Sequence, residues 1–119
     1  MSNVSIREFN NNLLRGTILA GGTLSGEIDL MGFTKIGLLY SGATNGTLGF
    51  QVAVKPDADG GTYYDLLGSN GVALAFGPSG ASGAVSGVVL EPLQPYRYIK
   101  VKSSIAQATG VQLLLPVKA

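Results

Sequence analysis

The 119-residue chain has no cysteine, no histidine and no tryptophan. Without cysteine there is no disulfide, so the fold rests on its own apolar core. Without cysteine and histidine there is no thiolate or imidazole zinc site. Serine–histidine and cysteine–histidine nucleophile pairs are excluded, and so is histidine pH switching. Charge is also scarce: eight basic and seven acidic residues give a net +1, with 13% of the chain charged. That field is too weak to gather nucleic acid or an anionic membrane surface by electrostatics. Long apolar runs are missing. Leu113-Leu114-Leu115 with nearby Val117 is strand length, far short of a bilayer span. The start, Met1-Ser2-Asn3-Val4-Ser5-Ile6-Arg7-Glu8, lacks the apolar stretch of a signal peptide, so synthesis in the cytoplasm without secretion is expected.

What the chain has is hydrophobic content of 45%, enough for a core, and 18 glycines. That is about twice the usual glycine share of ~7%. Glycine with little charge and no helix-length amphipathic pattern indicates a turn-dense, all-β domain of one core. Apolar residues recur with a period of two from Gly16 onward. Leu24, Ile28 and Leu30 share a face opposite Glu27 and Asp29, and Ile36, Leu38 and Tyr40 share another. Leu48, Phe50, Val52 and Val54 alternate with Gly49, Gln51, Ala53 and Lys55. Later runs are Thr62–Leu67, Val72–Phe76, Val85–Leu90, Tyr96–Ser103 and Val111–Val117. Eight or nine short strands, spaced by Gly, Asn, Ser or Pro, predict an antiparallel β-sandwich over 16–119. Phe50, Val52, Val54, Ile99, Val101, Leu113 and Leu115 are its expected core. Residues 77–84, Gly-Pro-Ser-Gly-Ala-Ser-Gly-Ala, read as an uncharged loop.

Residues 1–15 stand apart and read as an arm. Ile6, Phe9, Leu13 and Leu14 are apolar residues in a segment too short to bury them itself. They are candidates for contact with another subunit or surface, and an extended arm of this length reaches up to about 50 Å.

Three patterns could carry chemistry. Asp57-Ala58-Asp59-Gly60 opens like a calcium loop. A complete loop needs an acid at the fifth position and a bidentate glutamate at the twelfth, where this chain has Gly61 and Gly68. A tight turn is the expectation, with no metal. Glu27 and Asp29 form a carboxylate pair of the kind a glycosidase uses, but no partner acid or apolar niche accompanies them, so an exposed sheet face is expected. Tyr96, Tyr98, Lys100 and Lys102 interleave aromatic and basic groups on one face, as single-strand binders do. The balanced charge argues against nucleic acid and makes Tyr96 and Tyr98 candidate subunit-contact residues. No cofactor motif and no catalytic set is present, so the chain is not expected to be an enzyme.

Three stretches resemble a group of small phage and prophage structural proteins. The first is Thr23-Leu24-Ser25-Gly26-Glu27-Ile28-Asp29-Leu30 followed by Lys35-Ile36-Gly37-Leu38. The second runs from Leu48-Gly49-Phe50-Gln51-Val52 through Asp59-Gly60-Gly61-Thr62-Tyr63-Tyr64-Asp65-Leu66. The third is Tyr96-Arg97-Tyr98-Ile99-Lys100-Val101-Lys102-Ser103. The resemblance implies a jelly-roll-like capsid decoration, or cement, protein on the outer surface of a virion. Its partners would be the major capsid protein shell and other copies of itself, as a trimer in preference to a dimer. The alternative is a head-fibre, baseplate or tail adhesin domain that binds host surface glycan. Leu39 and Leu114, apolar on nominally outward faces, fit burial against another chain.

Overall fold

The computed structural model describes residues 13–42, 46–76, 82–85 and 90–118. Two antiparallel sheets face each other around one core, as the period-two pattern requires. In chain order the strands are β1 (Leu13–Ile18), β2 (Ile28–Asp29), β3 (Lys35–Ile36), β4 (Leu38–Ser41) and β5 (Leu48–Ala53). They continue with β6 (Tyr64–Asp65), β7 (Ala75–Phe76), β8 (Ser82–Val85), β9 (Tyr98–Ser103) and β10 (Val111–Lys118). The first sheet runs β1-β10-β4-β8, with β3 also on β10; the second runs β2-β9-β5-β6, with β7 also on β5.

The pairing is nested. β1 pairs with β10, β2 with β9, β4 with β8 and β5 with β6. The two halves of the chain lie antiparallel along one another and are rolled into two layers, a jelly-roll-like order. Two short 3-10 turns, Asp57–Asp59 and Glu91–Leu93, interrupt the strands.

The core is apolar and drawn from both sheets. Ile18, Leu38, Leu48, Phe50, Ile99, Val101, Val111, Leu113 and Leu115 are among its buried members. Six of the seven expected core residues are buried. Val54 is the exception, at 79% exposed. β5 ends at Ala53 and the backbone bends through Val54 and Lys55 toward the 3-10 turn, so the alternation stops one residue earlier. Ala53 is buried instead.

Four other expectations shift. β1 begins at Leu13, so Leu13, Leu14 and Arg15 belong to the sandwich and not to an arm ending at Arg15. Leu24 is 40% exposed, and Ser25 is buried in its place. The Ser25 hydroxyl accepts the Val101 amide at 2.8 Å and donates to the Gly26 carbonyl at 2.9 Å. Tyr96 precedes β9, and its amide donates to the Leu93 carbonyl at 3.0 Å. It packs against the core and does not share a face with Tyr98.

The fourth shift is β8. Ser82, Gly83 and Ala84, read as loop, are strand residues paired with β4, Gly83 opposite Tyr40. A Cβ on Gly83 would lie 2.4 Å from the Tyr40 hydroxyl oxygen and 2.6 Å from Cζ of the ring. Glycine is required there because the tyrosine occupies the space a side chain would take.

Candidate functional site

The two outer faces of the sandwich differ in chemistry. On the second sheet Tyr98, Lys100 and Lys102 alternate with the buried Ile99 and Val101, so strand pleating places all three outside. Each charge there has a partner. Lys100 Nζ lies 3.0 Å from Asp57 Oδ2 and 4.3 Å from the centre of the Tyr63 ring. Lys102 Nζ lies 3.2 Å from Asp65 Oδ1, which also accepts from Gln51 Nε2 at 3.2 Å. The Gln51 hydrogen bond and the Lys102 ammonium hold the Asp65 carboxyl below the usual carboxylate range.

Two further carboxylates, Asp29 and Glu27, are engaged as well. Arg97 grips Asp29 with two parallel bonds, Nε to Oδ1 at 2.9 Å and Nη2 to Oδ2 at 3.1 Å. That grip, with the Met31 amide, lowers the Asp29 pKa. Glu27 Oε2 accepts the Tyr63 hydroxyl and the Asp57 amide, the latter at 2.7 Å. Burial and the bond it donates to Glu27 push the Tyr63 phenol well above its ordinary value. Glu27 and Asp29 therefore each hold a separate partner.

Asp57 and Asp59 lie on the 3-10 turn, closed by Gly60 at φ 73°. The Asp57 carboxylate is spent on Lys100, and Asp59 is exposed. Gly61 completes the turn, since a Cβ there would lie 2.0 Å from the Lys55 carbonyl oxygen. Among the described residues, no group of three or more acidic side chains gathers as a metal site would require.

The outer face of the first sheet carries basic groups, Arg15 and the paired Lys35 and Lys118, around a partly apolar centre. Arg15, Leu114, Leu39 and Ala84 form one row across β1, β10, β4 and β8. Leu13 pairs with Pro116 in the next row, and Thr17, Gln112, Ser41 and Ser82 form the row beyond. Leu39 is 46% exposed. Among the candidate contact residues, Leu13 lies half-buried on this face, whereas Leu14 points inward against the core. Ile6 and Phe9 lie outside the described residues. Tyr98 is on the opposite sheet, with the Arg97 guanidinium 5.3 Å from its ring centre.

Scans of known protein families, characterised proteins and solved structures find no match to this chain.

A third surface escaped the sequence reading. Val54, Tyr64, Leu67 and Val72 are 79, 67, 52 and 62% exposed and belong to β5's end and the 62–76 hairpin beyond it. Tyr64, Leu67 and Val54, with Val52, Leu66, Thr62 and Tyr96, line a hollow of about 410 Å³. The one sequence signal for it is the absence of any charged residue between Asp65 and Glu91.

Proposed function

We propose that this is a virion structural protein, a capsid decoration protein that binds the assembled major capsid protein shell as a homo-oligomer. The observation that carries the reading is the contrast between the outer faces. One sheet consumes its charges in ion pairs with itself, while the other offers Leu39, Leu114, Leu13 and Pro116 bordered by the basic Arg15, Lys35 and Lys118. A partly apolar centre with charge at its border is what a protein interface needs. The resemblance of three stretches to phage structural proteins supports the same reading. A decoration protein needs a rigid scaffold and contact surface, and repeated weak contacts on a lattice add up to firm attachment.

The test is co-sedimentation of the purified protein with undecorated shells of the virion whose genome encodes it. Saturable pelleting is expected, weakened at least tenfold by Leu39→Asp on the outer face of the first sheet and unchanged by Asp59→Asn. Wild-type protein that stays in the supernatant at every ratio tested rules the reading out.

A further inference from the structure

We infer that the open edge of the second sheet is a self-association surface, through which two copies of this chain pair about a two-fold axis. β6 ends the second sheet, and beyond β5 on that side lies the hairpin 62–76. The hairpin is tightly built. The Gly68 amide donates to the Val72 carbonyl at 2.8 Å, the Leu74 amide to the Leu66 carbonyl at 2.7 Å, and Leu67 bridges Ala73.

Sheet edges are normally protected by lysine, proline, inward charge or a covering segment. This one carries the opposite. Its exposed large apolar residues are Tyr64, Leu67 and Val72, with Val54 alongside, and no charge follows Asp65 before Glu91. Asp65 itself is turned to the outer face, where Lys102 and Gln51 hold it.

A second copy is the occupant that fits. A two-fold contact sets the same patch against itself, so the patch must carry both a projection and a recess. Here Leu67 and Tyr64 border a hollow of about 410 Å³, and Val72 projects from the paired arm of the same hairpin. Any charge near such an axis meets its own like charge; Leu66 to Phe76 contains none, and Asp65, which also lines the hollow, is offset by its ion pair with Lys102. The apolar patch supplies over half of the area a stable dimer needs. The four exposed apolar residues alone offer roughly 450 Å², judged from ordinary side-chain sizes. A standard interface buries about 800 Å² per partner, and the exposed Thr62, Ala73 and Ala75 extend the patch toward that figure. The hairpin's own hydrogen bonds fix the backbone that carries these side chains in advance, which lowers the ordering cost of pairing. The product is a dimer, where a trimer was expected from the sequence, and it does not depend on the virion reading.

The experiment is sedimentation velocity of the full chain from about 1 to 300 μM. Three variants accompany it: Leu67→Asp and Val72→Asp on the edge, and Leu39→Asp on the outer face of the other sheet. All three positions are exposed, and far-UV circular dichroism checks that each variant keeps the β fold. A concentration-dependent dimer is expected for wild type and Leu39→Asp. At least a tenfold weaker dimer is expected for Leu67→Asp and Val72→Asp. The inference fails if wild type is monomeric throughout, if it forms only higher assemblies, or if Leu39→Asp abolishes association while the edge variants keep it.

Discussion

Phe50 and Val54 have the same sequence signature, apolar residues four apart in an alternating run, and opposite fates. Phe50 is 2% exposed and its ring lies 5.6 Å from that of Phe76, centre to centre. Val54 stands in solvent. Phe50→Ala is expected to cost about 3–5 kcal/mol through lost burial and a residual cavity. Val54→Ala should change stability by less than about 0.5 kcal/mol in the monomer. Urea unfolding at low protein concentration checks both, and equal losses would mean that the bend after Ala53 is misplaced.

Gly83 gives a second residue-scale expectation. Alanine there must displace the Tyr40 ring, at a cost of about 1–3 kcal/mol, the range for overpacking a filled site. A thermal melt of Gly83→Ala matching wild type would show that the ring moves freely.

The Asp29 carboxyl titrates low because Arg97 grips it. A carboxyl depressed in the folded state adds stability above its unfolded pKa of about 4. That contribution is lost as pH falls through the lower folded value. Both partners are largely exposed, so the gain in stability is small. The cleaner readout is the titration itself. In Arg97→Ala the midpoint of the Asp29 carboxyl, followed by NMR, is expected to rise toward about 4. An unmoved midpoint would assign the depression to the Met31 amide, 2.8 Å from Oδ1.

Elements follow strand propensity less than they follow what lies next to them. Ile36, Leu38 and Tyr40, and Leu48, Phe50 and Val52, were legible because their three strands run beside neighbours that keep the pleat in phase. Val54 was not, since nothing local marks where a strand bends away. Residues 82–84 read as loop because Gly83 answers to a neighbouring tyrosine far off in sequence. Tyr64 and Leu67 look like core residues by composition. What exposes them is their position at the end of a sheet, which only the strand order reveals. The polar contacts of Glu27, Tyr63, Asp57 and Lys100 were hidden for the same reason: they join segments 30 to 43 residues apart. The turn at residues 56–61 was legible, because Pro56, Gly60 and Gly61 fit a tight turn better than a complete calcium loop. With Asp57 committed to Lys100, adding EDTA or millimolar calcium should leave Tm unchanged within about 1 °C. A fall of several degrees with EDTA, restored by calcium, would instead mean that Asp57 and Asp59 hold a metal.

The whole molecule is a closed book of nested pairs, and its outermost pair joins its two ends. Leu13 lies opposite Pro116 and Ile18 opposite Val111, so β1 and β10 meet only after almost the entire chain has been gathered. β10 is also central in its sheet, lying between β1 and β4, and supplies Val111, Leu113, Leu115 and Val117 to the core. Closing a loop of such length costs chain entropy before any contact compensates for it. All-β domains dominated by distant pairings accordingly fold in milliseconds to seconds. Refolding followed by tyrosine fluorescence after dilution from urea should proceed at about 10 s⁻¹ or slower. Removing the β1 pairing by truncating Met1–Arg15 takes away half of that strand and should speed unfolding more than it slows folding, because the closing pair forms last. Refolding faster than about 10³ s⁻¹, or a truncation that slows folding and leaves unfolding untouched, would place the end-to-end pair in the nucleus instead.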